Sequence, residues 1–436
     1  MWMGSLRVGA QKRDLGALES DGIASSVQDP AYAIIETDAA VVRRLSGIGS
    51  WLRAALLLAC RIEWGILIIT LPDGRRLRIV GSHDGVTAEV TLLDAQVGRR
   101  LLLGGNVGLA EAYMDGMWTS PDIAALVELG CRAQSWDQAL QAHPVVRGAM
   151  RVLHLLRRNS RKQAKRNIAY HYDLGNSFYE RWLDPTMTYS AARFLRPDEE
   201  LADAQRNKYQ AMADCIQLGG NDHVLEIGCG WGGFAEFAAK ERGARVTSIT
   251  ISPSQAEYAR KRMFEQGLAD KVDIRLQDYR DLTGNFSRVA SIEMFEAVGE
   301  KYWPVFFAKM KDVLSPGGLA GLQIITIDDR GYDAYRRGVD FIQRYIFPGG
   351  MLPSTSALKE QVRHAGFSHV AEINFGLDYA RTLEIWRQRF LAAWPDISAQ
   401  GFDERFKRMW EYYLAYCEGG FRAEYIDVIQ AGLYRP

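Results

Sequence analysis

From residue 200 onward the chain alternates short apolar runs with longer stretches of helical character. The runs fall near 223–227, 244–250, 273–276, 287–294, 318–326 and 368–375, an alternation that predicts a doubly wound parallel sheet. A late segment, AEYIDVIQAGLYRP, reads as a final edge strand after helices rich in Trp and Tyr over 383–417. Upstream the period changes. Between Trp51 and Leu103 the pieces GILIITL, RRLRIVG and TAEVTLL alternate, with a PDG turn at 72–74, and predict antiparallel strands of a small α+β domain. Helices are expected at about 108–116 and 121–134. Residues 1 to about 40 mix Gly, Ser, Asp and Ala without period and are expected to form a poorly ordered leader.

The segment VLEIGCGWGG, residues 224–233, joins a strand to a helix through glycines. Val224, Leu225 and Ile227 predict a strand covered on both faces, and Gly228, Gly230 and Gly232 permit a tight turn and close approach of backbone to a ligand. The helix is expected to begin at about Phe234. A plain glycine-rich connection is the competing reading. A dinucleotide site would need an acidic residue ending the second strand. Here ARVTSITIS ends in Thr250, Ile251 and Ser252, and Glu226 sits inside the first strand, so the dinucleotide fingerprint is absent. In SPSQ, Ser252 is expected as N-cap, Pro253 as first helical residue and Gln255 as the closing member of a capping box.

At 436 residues and 47% hydrophobic content the chain can bury a large core, in two domains. Lys+Arg and Asp+Glu balance at 53 each, which gives no reason to expect a nucleic-acid partner. Charge is uneven locally. Between Asp137 and Asp173 no acidic residue occurs, while Arg147, Arg151, Arg157, Arg158, Arg161, Lys162, Lys165 and Arg166 do. That run is either a solvated linker or a patch attracting anionic lipid at roughly 1 kcal/mol per basic residue. Five cysteines without a CxxC argue against a disulfide framework or a zinc site and suit a reducing compartment. The start lacks a signal-peptide core, and the apolar stretch from Trp51 to Leu71 is interrupted by Arg53, Arg61 and Glu63. A cytoplasmic protein peripheral to the inner membrane face is expected.

EIGCGWG, TSITISPSQ and SIEMFEAVG together resemble a methyltransferase that binds S-adenosylmethionine. Seven pieces in order carry a closer resemblance, to the cyclopropane fatty acid synthase family, which includes the mycolic acid cyclopropane synthases. They are GLAEAYMDGMW (108–118), IAYHYDLGNSFYERWLDPTMTYSAARF (168–194), VLEIGCGWGG, TSITISPSQ, SIEMFEAVGEKYW (291–303), YIFPGGMLPS (345–354) and DYARTLEIW (378–386). The resemblance implies a class I methyltransferase domain with a seven-stranded sheet and a smaller N-terminal lipid-binding domain. The expected layout is a leader over 1–40, the lipid-binding domain over 41–140, a basic linker over 141–166 and the catalytic domain over 167–436. The implied substrate is the cis double bond of an unsaturated acyl chain esterified in membrane phospholipid.

By position, the family's cofactor contacts fall on Tyr189, Ser190, Gly228, Gly230, Thr250, Gln255, Asp278 and Tyr279. His171 and Tyr172 fall in a segment expected to cover the cofactor. Trp303, Phe306, Tyr345, Phe347 and Trp386 suit an apolar acyl tunnel. Catalysis is expected to rest on Glu296 and Tyr379, which match two of the four side chains that hold a bicarbonate base in cyclopropane formers. The other two positions depart from the family: the cysteine is Ala191 and the histidine is Ile325. An anion losing two partners at about 1.5–3 kcal/mol each should be held weakly or not at all. The carbocation left by methyl transfer is then expected to undergo a hydride shift and yield a methylene- or methyl-branched chain, with a later oxidoreductase as a candidate partner. Cyclopropanation with a substitute base, Glu293 or Glu296 itself, is the alternative. A small-molecule N- or O-methyltransferase and a non-catalytic lipid-binding protein are the other readings, Glu296 has a second reading as a helix-capping carboxylate, and a homodimer stays open.

Overall fold

The computed structural model describes residues 34–133 and 174–436. The expected basic linker, His171 and Tyr172 lie outside the described residues. The described chain opens inside the expected leader: Ile34–Glu36 form β1, paired in parallel with Arg76–Val80, β3. With β2 (Trp64–Thr70), β4 (His83–Leu92) and β5 (Trp118–Thr119) these make a five-stranded sheet of order β1-β3-β2-β4-β5. The PDG turn joins β2 and β3 as an antiparallel hairpin. β4, expected to be antiparallel too, lies beside β2 on the side away from β3 and pairs with it in parallel. The helix expected from about 108 starts at Val97, continuing across a kink at Gly105 to Met114.

The second sheet has seven strands: β6 (His223–Ile227), β7 (Arg245–Thr250), β8 (Val272–Leu276), β9 (Phe286–Ile292), β10 (Leu314–Ile327), β11 (Ser368–Asn374) and β12 (Ile426–Tyr434). Their order is β11-β12-β10-β9-β6-β7-β8. Val224, Leu225, Val289, Ala290 and Ile324 are fully enclosed, because helices cover both faces. β12 is not the edge strand its position suggested. It inserts between β10 and β11, antiparallel to both, and leaves β11 outermost. Its run Val428–Leu433 is buried without alternation, as a strand covered on both faces must be. Strand order reverses between β6 and β9, and open α/β sheets bind ligands at the carboxyl ends of the strands flanking such a reversal.

The two halves pack against each other along helix Glu404–Arg422 and at the end of the helix finishing at Met114. Helix Glu404–Arg422 crosses helix Ile123–Arg132 so closely that a Cβ on Gly419 would lie 2.5 Å from the Ala124 carbonyl oxygen. Glu111, on the helix ending at Met114, accepts from Tyr345 Oη at 2.6 Å and pairs with Arg344 at 3.0 Å. Both partners belong to the π-helix Ile342–Ile346. An aromatic cluster holds the segment preceding the sheet. Phe178 meets Trp410 edge-on at 5.0 Å, Trp182 meets Trp386 at 5.8 Å and Tyr179 meets Trp231 at 5.0 Å. Each such pair adds about 0.5–1.5 kcal/mol beyond its area burial and fixes the path of residues 187–194 over the strand ends.

Candidate active site

After Ile227 the chain turns through Gly228 and Gly230, whose φ values are +93° and +49°. Both Gly228 N and Cys229 N donate to Ile249 O on β7, at 3.0 and 2.9 Å. A Cβ on Gly230 would point into open space, so bare backbone faces the cavity where a ligand can lie against it. The helix follows at Gly233, one residue before the expected start. Ser252 caps the next helix as expected, accepting from Gln255 N at 3.4 Å. The reciprocal half of the capping box is not made. Gln255 Oε1 instead accepts from Thr250 Oγ1 at 2.9 Å, while Thr250 Oγ1 takes Ser252 N. The two side chains thereby form one polar edge of the cavity.

That cavity, of about 330 Å³, opens at the carboxyl ends of β6, β7, β9 and β10. Tyr189, Ser190, Gly228, Gly230, Thr250, Gln255 and Tyr279 all line it, as do Glu296, Tyr379 and Phe347. Asp278 sits at the rim with its carboxylate held by Arg280 at 2.8 and 2.6 Å, and its neighbours Gln277 and Tyr279 face inward. Tyr345 departs from the tunnel reading, since its hydroxyl turns away to Glu111. Trp303 and Phe306 depart too, packing on Phe295 in the core beneath the sheet. Trp386 is fully buried behind Tyr189, 5.3 Å from its ring. Tyr413, Tyr416, Phe421, Tyr425 and Ile426 build the apolar wall instead, on the helix Glu404–Arg422, the turn after it and the start of β12.

Two carboxylates meet in the cavity. Glu296 does not cap a helix: its Oε1 accepts from Ile325 N at 2.6 Å and its Oε2 is buried with no hydrogen-bond partner. Burial, with Glu293 adding to it, pushes the Glu296 carboxyl up to about 8, so it is protonated at neutral pH. Glu293 follows directly on β9 at a φ of +49°, uncommon for a residue with a side chain, and its N–H donates to Gln323 O. Its carboxylate takes three donors: Ala191 N at 2.8 Å, Gln323 Nε2 at 2.6 Å and Tyr379 Oη at 2.6 Å. Burial raises its carboxyl while those donors and nearby Lys208 oppose the rise. The sequence singled out Glu293 only as a substitute base. Its spacing of three from Glu296, at the mouth of a predicted buried strand, was the available signal.

Lys208 was not anticipated. It is fully buried on helix Leu201–Cys215, and its Nζ donates to Ser190 Oγ at 2.6 Å. Desolvation brings its ammonium down to about 7, against the pull of Glu293, Asp184 and Glu226. The signal was readable: Leu201, Ala204, Lys208 and Met212 are spaced as one buried helical stripe.

The open backbone at Gly230 and the Thr250–Gln255 edge leave room for a cofactor with an extended polar body, and the aromatic wall leaves room for an apolar chain. The family described as "Mycolic acid cyclopropane synthetase" matches residues 159–431. The chain is 41% identical to the tuberculostearic acid methyltransferase UfaA1 of Mycobacterium tuberculosis, over 77% of this chain and 81% of that protein. It is 38% identical to the cyclopropane-fatty-acyl-phospholipid synthase of Escherichia coli, over 83% and 94%. The crystal structure of the mycolic acid cyclopropane synthase CmaA1 with SAH and CTAB superposes with a TM-score of 0.58 at 29% identity, covering 62% of this chain and 98% of that one. The glycine turn, the switch-point cavity and these likenesses agree, and the chain belongs to the mycolic acid cyclopropane synthetase family of S-adenosylmethionine-dependent fatty-acyl methyltransferases.

Proposed function

We propose that this protein methylates the double bond of an unsaturated acyl chain carried on phospholipid and releases a methylene-branched chain, with Glu293 as the base. The observation that carries the reading is the Glu293 carboxylate, hydrogen-bonded to Ala191 N and Tyr379 Oη. The family resemblance implies a cysteine and a histidine where this chain has Ala191 and Ile325, and Glu293 is the carboxylate proposed to take over the base's task. Gly228, Gly230, Thr250, Gln255, Tyr279, Tyr189 and Ser190 hold S-adenosylmethionine, which when bound supplies an electrophilic methyl group. Tyr413 and Phe421 exclude water and offer ring faces to a cation on the acyl chain.

When the alkene electrons form the new carbon–carbon bond, the positive charge falls on the neighbouring carbon. A hydride moving from the methyl-bearing carbon shifts the charge onto that carbon. Glu293 then takes a proton from the added methyl group, and the electron pair of that C–H bond forms the double bond of a methylene branch on the chain. Burial makes this carboxylate a stronger base than an exposed one, and its three hydrogen bonds oppose part of that gain while holding it in place. Reduction of the methylene group by a separate oxidoreductase would give a saturated methyl branch. Among the described residues no helix is long and apolar enough to cross a membrane, which suits substrate capture from a bilayer surface.

The test is mass spectrometry of fatty acid methyl esters, with branch location, after incubating the protein with methyl-labelled S-adenosylmethionine and vesicles of monounsaturated phospholipid. A methylene-branched product is expected. A cyclopropane would overturn the assigned outcome, and no label transfer would overturn the substrate.

A further inference from the structure

We infer that Lys208 is a positioning residue for the carboxylate of the cofactor's amino-acid end, acting through the Ser190 hydroxyl. The inference rests on reading the cavity as the S-adenosylmethionine site. Lys208 is the only buried Lys or Arg among the described residues, and a buried ammonium needs a reason. No carboxylate lies within ion-pair distance of its Nζ among the described residues. Glu293, Asp184 and Glu226 face it, but each takes its hydrogen bonds elsewhere: Glu293 from Ala191, Gln323 and Tyr379, Asp184 from Thr186, and Glu226 from Ser248. The ring of Tyr209 lies 4.2 Å from Nζ.

The direct contact is the 2.6 Å bond to Ser190 Oγ. An ammonium can only donate, so Ser190 Oγ accepts and its own proton must point elsewhere. No protein acceptor takes that proton among the described residues, and Ser190 lines the cavity. Its backbone is fixed as well, since Ser190 O accepts from Gln205 Nε2 at 2.9 Å. The result is a hydroxyl polarised by a positive charge behind it and presented to the cavity as a donor. The amino-acid part of the cofactor carries one anionic group, a carboxylate, and this donor complements it.

Calorimetric binding of two ligands tests the assignment: S-adenosylhomocysteine, which has the amino-acid part, and 5′-methylthioadenosine, which lacks it. Lys208→Met is expected to weaken S-adenosylhomocysteine about tenfold, the scale of one charge-assisted hydrogen bond, and to leave methylthioadenosine within about twofold. Ser190→Ala should give the same selective loss, and the double variant should add little to either. Ser190→Ala alone carries the test if Lys208→Met does not fold. Equal losses for both ligands, or additive losses in the double variant, would overturn the relay and leave Lys208 as a structural counter-charge. Failure of the unaltered protein to bind either ligand would instead sink the cofactor site itself.

Discussion

Replacing Glu293 by Gln keeps shape and volume while removing the charge and placing an amide N–H₂ among donors. Three donors converge on this carboxylate from Ala191, Gln323 and Tyr379. The Gln oxygen can keep one or two of them, and at least one donor then faces the amide nitrogen unpaired. An unsatisfied buried donor costs about 1–3 kcal/mol. Part of that is offset because the buried charge is gone, so stability should fall by no more than about 2 kcal/mol. Turnover should fall far more, since a positioned base contributes about 10²–10⁴-fold. The assay is single-turnover transfer of labelled methyl from S-adenosylmethionine to vesicle phospholipid, with urea unfolding as the stability control and S-adenosylhomocysteine affinity as the binding control. Retention of the same product within about threefold of the original rate, by a folded variant that binds cofactor normally, would refute Glu293 as the base.

Gly230→Ala should fold, because its Cβ points into open space, at a strain of about 1 kcal/mol for the positive φ. It should weaken S-adenosylhomocysteine binding at least about tenfold in calorimetry, and unchanged affinity would mean the turn does not face the ligand. Glu296 has a folded-state value of about 8 against an ordinary value of 4.5, so the native state holds the extra proton between those limits. Its contribution to stability is complete below pH 4.5 and is lost as pH rises toward 8. Glu296→Gln, permanently neutral, should match the original melting temperature near pH 5 and exceed it near pH 9; parallel curves would contradict this. Glu111→Gln should cost about 1.5–3 kcal/mol in urea unfolding by weakening the bonds to Tyr345 and Arg344. No change in the unfolding midpoint would mean that contact holds nothing together.

The methyltransferase sheet was legible because buried parallel strands write continuous apolar runs. His223–Ile227 forms as anticipated, and β7 to β11 fall close to their expected limits. What a run cannot say is who its neighbours are. β12 looked like an addition at the edge, although the unbroken Val-Ile-Gln-Ala-Gly-Leu is the composition of a strand flanked on both sides. The same limit hid the parallel pairing of β2 with β4, since alternation fixes faces and leaves partners open. The helix expected from about 108 has earlier turns beginning at Val97, and it bends at Gly105 and continues. At the site, the turn glycines, Thr250 and Tyr379 could be placed by motif. Tyr345, Trp303 and Phe306 could not, because an aromatic in a predicted pocket wall and one in a core read alike. Glu293 gained its prominence only when three separate chain segments were seen to converge on it.

As the proposed base, Glu293 is part of the chain and held in place by those three segments, so it stays through every cycle. A dissolved base such as bicarbonate leaves with the proton it collects and is replaced from solution. A carboxylate fixed to the backbone at the end of β9 cannot leave, so the enzyme should run unchanged in medium stripped of carbon dioxide. It must instead be recharged in place. Under this proposal its captured proton would travel outward before another substrate reacts, with Tyr379 as the bonded neighbour and water admitted after product departs as carriers. Resetting the base is then tied to emptying the lipid from the cavity.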